Sequence, residues 1–155
     1  MTGHAKEPPI AETRVRVRYA ETDQMGVVYH ANYFVWFEVG RVELMRQRGL
    51  SYRRLEEEEG CRIVVVEATA RYKSPARYDD ELIIETQVKT VRGPVIRFAY
   101  RILRADSDAK VQLCEGETVH VVLGRDMKKR SIPKKYADLL NAAAGHAPPH
   151  SHSHK

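Results

Sequence analysis

The 155-residue chain has no long hydrophobic run. Its most apolar stretches, such as Ile63-Val64-Val65-Val66, fall far short of the roughly 20 residues that a membrane-spanning helix needs, so no membrane span is expected. No secretory apolar core follows Met1, because residues 2 to 14 are polar and include Pro8-Pro9. Cysteine is scarce. Cys61 and Cys114 lie far apart with no neighbour at metal-ligand spacing, and two cysteines build no disulfide framework. They read as small buried hydrophobes of a reducing compartment, which points to the cytoplasm.

Several catalytic signatures are missing as well. There is no G-x-S-x-G elbow, no glycine-rich phosphate loop, no G-x-G-x-x-G, no H-E-x-x-H and no paired C-x-x-C. A serine hydrolase, kinase, dehydrogenase or zinc enzyme would lack its usual parts, and neither a metal nor a cofactor is expected. Charge of one sign is in modest excess, with 26 basic against 21 acidic residues and a net charge of +5, and the two signs are interspersed. No helix-turn-helix or RNA-binding aromatic motif accompanies it, so no nucleic-acid partner is expected. Tyr72, Phe98 and Tyr100 read as core or interface residues.

What is present suits one domain with one core, since 43% of the residues are hydrophobic. Residues 1–12 form a polar arm, 13–144 the domain, and 145–155 a His/Pro/Ser-rich tail expected to be disordered, where His150, His152 and His154 alternate. In "TRVRVRYA" Val15, Val17 and Tyr19 alternate with Arg14, Arg16 and Arg18, as in a half-buried strand. A helix follows from Ala31 to about Arg48, ended by Gly49 and apolar nearly all round, so it is expected to be buried on most sides. Gly40 inside it costs about 1 kcal/mol relative to Ala, which implies a close packing contact. Within the same helix Glu38 and Arg41, three positions apart, are expected to pair. "SYRRLEEEEG" reads as a short helix capped by Ser51 and stopped by Gly60. Four β-rich segments separated by turn signals then suggest an antiparallel meander, and "IPKKYADLLNAAAG" a closing amphipathic helix. The class is α+β, with about five antiparallel strands wrapped around the apolar helix. Apolar surface that one sheet cannot cover implies self-association.

Two features in "YAETDQMGVVYHANYFVWFEVGR" carry chemistry. Asp23 sits in the loop before the helix, where Val27 and Val28 turn the chain inward, so its carboxylate is expected to be partly desolvated. It reads equally as a base or nucleophile and as a simple turn former. At Tyr29-His30-Ala31-Asn32 the helix begins, and its first amides have no intrahelical acceptors. Such an end stabilises an anion, whether a phosphate or the oxyanion of an acyl transfer. His30 could orient an attacking group, or be a core histidine or cap; the Tyr19 hydroxyl could position the carboxylate.

The stretch "RVRYAETDQMGVVYHANYFVWFEVGRVELMRQRGL", with "ARYKSPARYDDELIIET" and "IPKKY" after it, resembles the hotdog-fold acyl-CoA thioesterases of the 4-hydroxybenzoyl-CoA thioesterase family, above all the branch associated with the Tol–Pal system. The resemblance implies a five-stranded antiparallel sheet around a long central helix, and a dimer as building block, often paired again into a homotetramer. It also implies hydrolysis of an acyl-CoA thioester to a carboxylic acid and free coenzyme A, the latter being part of the substrate. Asp23 then matches the catalytic carboxylate, His30 and Tyr19 match active-site positions, and the His30 amide polarises the thioester carbonyl. The coenzyme A phosphates would meet Lys73, Arg77, Lys128, Lys129 and Arg130. Two alternatives remain: a hotdog hydratase or dehydratase, and a non-catalytic acyl-CoA binding module.

Overall fold

The computed structural model describes residues 9–145. The arm before residue 9 and the tail from 146 onward, His150, His152 and His154 included, lie outside the described residues. Five strands, β1 (Ala11–Arg16), β2 (Arg62–Tyr72), β3 (Glu81–Arg92), β4 (Val95–Ala105) and β5 (Lys110–Leu123), join in one antiparallel sheet. Three helices accompany it: α1 (Asn32–Gln47), α2 (Tyr52–Glu59) and α3 (Lys134–Ala143). Among the described residues no helix is long and apolar enough to cross a membrane.

β1 starts at Ala11, so the last two residues of the expected arm already pair with β3. It also stops earlier than the alternation suggests. Tyr19 lies in a short 3-10 turn, Tyr19–Glu21, and is 77% exposed rather than facing the core with Val17. The meander holds for β3, β4 and β5, which are joined in sequence by hairpins, but not for β2. Sheet order is β1-β3-β4-β5-β2, so β2 pairs with β5 at the far edge. Residues 73–80 then carry the chain back across the end of the sheet. Lys73 N–H donates to Leu113 O at 2.8 Å, Val28 N–H to Ala76 O at 2.8 Å, and Val17 N–H to Asp80 O at 2.9 Å. This crossing segment is the floor on which the candidate site rests.

The core lies between α1 and one face of the sheet. Ile96, Phe98, Tyr100 and Ile102 alternate inward along β4, as a half-buried strand requires. From α1, Tyr33, Trp36, Phe37, Gly40, Leu44 and Met45 form a stripe packed mainly on β1 and β3. Phe37 is fully buried and stacks on Tyr100 with centroids 4.4 Å apart; burying such a side chain is worth about 1.5–3 kcal/mol. Gly40 answers the close contact expected of it: a Cβ there would stand 2.7 Å from Ile84 Cγ2 and closer still to Thr86 Oγ1. α1 is not buried on most sides within one chain, however. Val35 is 52% exposed, and Phe34, Val39 and Val42 are only partly covered.

The second helix follows its sequence signals. Ser51 Oγ accepts the Arg54 N–H at 3.3 Å, and Gly60 ends the helix at φ 68°. Arg41 does not pair with Glu38. Its buried guanidinium donates to the Tyr52 hydroxyl and the Tyr100 hydroxyl, both at 3.1 Å. Tyr100 Oη in turn lies 2.6 Å from Thr118 Oγ1, which His120 Nε2 approaches to 2.8 Å. The pairing expected from helical spacing gives way because Arg41 faces the sheet while Glu38 faces solvent.

Candidate active site at the tip of α1

After the 3-10 turn the chain makes a tight hairpin, closed by a bridge between Thr22 and Val28 and by Asp23 N–H donating to Val27 O at 2.8 Å. Gly26, at φ 82°, supplies the left-handed residue at its tip. Asp23 holds this turn with its own side chain, since Oδ1 accepts the Met25 amide at 2.8 Å and the Val27 amide at 3.4 Å. The turn-former reading therefore holds, and the partial desolvation expected of the carboxylate does not: residues 23 to 26 are all exposed. Val27 and Val28 turn inward only after the tip has projected outward. Oδ1 is committed to the turn, while Oδ2 takes part in none of the hydrogen bonds among the described residues.

The start of α1 is tied to the same segment. The Tyr29 amide and the Asn32 side-chain amide both donate to Glu21 O at 2.9 Å, so the turn before Asp23 and the helix tip share one anchor. Glu21 is itself fixed, its Oε1 accepting the Arg18 amide at 2.7 Å. Within the first turn Asn32 N–H donates to Tyr29 O at 2.9 Å, Tyr33 N–H to His30 O at 3.3 Å and Phe34 N–H to Ala31 O at 3.2 Å. Those carbonyls point along the helix. In a trans peptide the N–H points opposite to the C=O of the same unit, so the His30 and Ala31 amides point out of the helix end. Among the described residues neither has an acceptor. The N-cap is Ala31, which offers no capping oxygen, although Ser, Thr, Asp and Asn are the residues that stabilise such an end.

A cleft of about 280 Å³ opens beside this tip, lined by Val28, His30, Tyr33, Tyr72, Lys73, Ser74 and Pro75. Three rings stand in edge contact along it, with His30 to Tyr72 at 6.2 Å and Tyr33 to Tyr72 at 5.1 Å between centroids. The Tyr33 hydroxyl, in a nearly fully buried side chain, accepts the Ala76 amide at 3.2 Å, and burial raises its pKa. A larger groove of about 390 Å³ crosses the other face of the sheet at Ala99 and Arg101, away from the helix tip.

Of the residues singled out from the sequence, His30 lines the cleft, whereas Asp23 sits on the hairpin that leads into the helix and is not among the residues lining the cleft. The His30 ring is exposed and packs on Tyr29 at 4.5 Å, so it is not a core histidine. Tyr19 stands off: its ring meets Tyr78 edge-on at 5.7 Å, and no hydrogen bond joins its hydroxyl to Asp23 among the described residues. The five basic candidates separate. Lys73 lines the cleft, with its Nζ 3.8 Å from Glu115, and Arg77 bridges to Val27 beside the Asp23 hairpin. Lys128, Lys129 and Arg130 lie at the opposite end of the β2–β5 ladder, where Lys129 bridges Leu123, the partner of Arg62. Ten steps along β2, at about 3.3 Å each, separate the two groups. Arg130 has a structural use there, donating to Glu59 O at 3.1 Å at the C-terminal end of α2. Among residues not foreseen, Asn32 and Tyr72 are the ones that hold the site together. A side-chain amide one position inside a helix start is a visible signal for the first; nothing local marks the second. Cys61 and Cys114 are free and buried, as expected, and burial pushes the Cys114 thiol up to about 12.

A family model described as the thioesterase-like superfamily matches residues 17–142. The acyl-CoA thioester hydrolase YbgC of Escherichia coli O6:H1 is 39% identical over 121 residues, covering 77% of this chain and 87% of that protein. The crystal structure of hypothetical protein TT1821 from Thermus thermophilus superposes with a TM-score of 0.79 at 35% identity, over 85% of this chain and 98% of that one. A mutant 4-hydroxybenzoyl CoA thioesterase complexed with 4-hydroxybenzoyl CoA gives the same TM-score, 0.79, at 21% identity over 84% of this chain and 98% of that one, a likeness of fold. The five-stranded antiparallel sheet with α1 against it is thus the hotdog fold, and the chain belongs to the thioesterase-like superfamily.

Proposed function

We propose that the protein is an acyl-CoA thioesterase, which with water converts an acyl-CoA to a carboxylic acid and free coenzyme A. The observation that carries this reading is the uncapped tip of α1, where the His30 and Ala31 amides face outward beside a cleft. A thioester oxygen placed there gains negative charge as its carbon is attacked, and oriented amides stabilise that charge without reorganising. Asp23 acts through Oδ2, the oxygen its turn leaves available, either attacking the carbonyl carbon or taking a proton from the water that does. His30 orients the attacking group from the cleft wall. Tyr19, paired with Tyr78, belongs to the rim rather than to the reacting atoms. Lys73 and Arg77 meet coenzyme A phosphates on this chain, whereas Lys128, Lys129 and Arg130 do so only across a subunit boundary. The reaction draws on no cofactor or metal.

The working form in this reading is a cytoplasmic homo-oligomer, a dimer joined through the sheet edge at β2 and paired again into a homotetramer. Its support is that β2, among the described residues, has a neighbouring strand on one side only, with Val65 51% and Val66 56% exposed. Such an apolar edge invites a second strand. Sedimentation as a monomer at micromolar concentration would remove this part of the reading.

The test is release of free thiol from a panel of saturated acyl-CoA esters by the wild type and by Asp23→Asn. At least about a hundredfold loss in the variant is expected, the lower scale for losing an acid–base group. Full activity in Asp23→Asn would move the chemistry elsewhere. Hydration of a 2-enoyl-CoA without thiol release from any saturated ester would make the protein a hydratase.

A further inference from the structure

One side chain from the edge of the sheet reaches the helix tip. Tyr72, the last residue of β2, donates its hydroxyl proton to His30 O at 3.1 Å. The Tyr33 amide also donates to that carbonyl, at 3.3 Å, longer than the neighbouring bonds from Asn32 at 2.9 Å and Phe34 at 3.2 Å. His30 C=O and Ala31 N–H belong to one planar unit and point in opposite directions. Whatever fixes the direction of that carbonyl therefore fixes the direction of the Ala31 amide. The preceding 29–30 unit is held in the same way, through its carbonyl: Tyr29 O accepts the Asn32 N–H at 2.9 Å, while the Tyr29 N–H on Glu21 O fixes the 28–29 unit before it. The 30–31 unit has no cap behind it, because Ala31 carries no side-chain oxygen and the Asn32 side chain is spent on Glu21.

We propose that Tyr72 is a positioning residue: by holding the His30 carbonyl it aims the Ala31 N–H into the cleft as a second donor, beside the His30 N–H, to the thioester oxygen. This rests on the thioesterase reading above and deepens it. The tyrosine ring is already seated, in edge contact with Tyr33 at 5.1 Å and His30 at 6.2 Å, and its backbone is in register with Cys114 of β5. Removing only the hydroxyl should leave those contacts in place and free the peptide unit to rock.

Two measurements decide it. In the first, Tyr72→Phe is compared with the wild type for thiol release. The expected result is a kcat lower by about five- to tenfold with KM unchanged, less than the roughly hundredfold of deleting an oxyanion donor outright. Inhibition by two coenzyme A analogues gives the signature of an oxyanion effect: a ketone with CH₂ in place of the thioester sulfur should lose affinity in Tyr72→Phe, and a thioether with no carbonyl should not. Equal loss for both analogues, or an unchanged kcat, would overturn the proposal while leaving the thioesterase reading intact. In the second, the amide protons of ¹⁵N-labelled wild type are followed as the ketone analogue binds, which requires no variant to fold. His30 and Ala31 should both shift downfield. An unmoved Ala31 overturns the second donor, and a wild type that releases no thiol from any ester removes the reading on which it rests.

Discussion

Replacing Gly40 with alanine should destabilise the protein even though alanine is the better helix former. The helix term favours the substitution by about 1 kcal/mol. Against it stands the contact of α1 with β3, where a new Cβ would come within 2.7 Å of Ile84 Cγ2 and still closer to Thr86 Oγ1. Both neighbours are fully buried, so neither can swing away into solvent. Forcing one methyl group into a filled core costs about 1–3 kcal/mol, and a contact this short belongs at the upper end. The net loss is then about 1–2 kcal/mol, or roughly 2–8 °C in Tm for a chain of this size. Thr86 offers an internal control, because among the described residues its buried Oγ1 has no hydrogen-bond partner, so its removal forfeits no hydrogen bond. In the double variant Gly40→Ala/Thr86→Ala the two changes should couple favourably by about 1 kcal/mol, within the range seen for residues in contact. Urea unfolding of the four proteins gives both numbers. A single Gly40→Ala variant at or above wild-type stability, or strictly additive effects in the cycle, would refute the packing argument.

Two further outcomes follow from groups away from the site. His120 is buried and its pKa is lowered from 6.5 to about 3, first by burial and then by the Arg41 guanidinium. The unfolded chain therefore binds a proton below about pH 6.5 that the folded chain refuses, and this contribution to stability is complete above that pH and is lost as pH falls from about 6.5 toward 3. Unfolding free energies of wild type and His120→Gln, measured across that window, should differ in slope by on the order of 1 kcal/mol per pH unit; parallel curves would contradict it. Ser51→Ala should cost about 0.5–1 kcal/mol in urea unfolding at neutral pH, the lower part of the range for a helix cap, since the bond is 3.3 Å long. No loss would mean that the hydroxyl prefers water.

Local signals suffice wherever a local cause decides the structure. Ser51 and Gly60 bound α2 because a cap oxygen and a left-handed glycine act within one turn. Gly40 betrayed its contact because nothing local justifies glycine inside a helix. Such signals mislead where partners are distant in sequence. Arg41 has Glu38 at a favourable helical spacing, yet its hydrogen bonds go to Tyr52 and Tyr100, which only the folded sheet brings within reach. Tyr19 continues a strict alternation, but Glu21 folds back on Arg18 and curls the chain into a turn. β2 looks like the first strand of a meander because residues 73–80 carry turn signals, and those residues cross the sheet instead. At the site, the sequence marked Asp23 and the helix start, whereas the bonds that join them through Glu21, Asn32 and Tyr72 belong to tertiary structure. The basic run near the C-terminal helix could not reveal that it faces the other end of a long ladder.

The position of β2 also has a consequence for biosynthesis. Its ladder partners run from Leu123, opposite Arg62, to Cys114, opposite Tyr72. A ribosome releases the valine-rich strand some fifty residues before the strand that will cover one of its edges. Throughout that interval "RIVVVEATARY" has no β5 beside it, the condition in which nascent apolar strands bind chaperones or one another. The corner that holds the candidate site is therefore completed only when the last strand arrives.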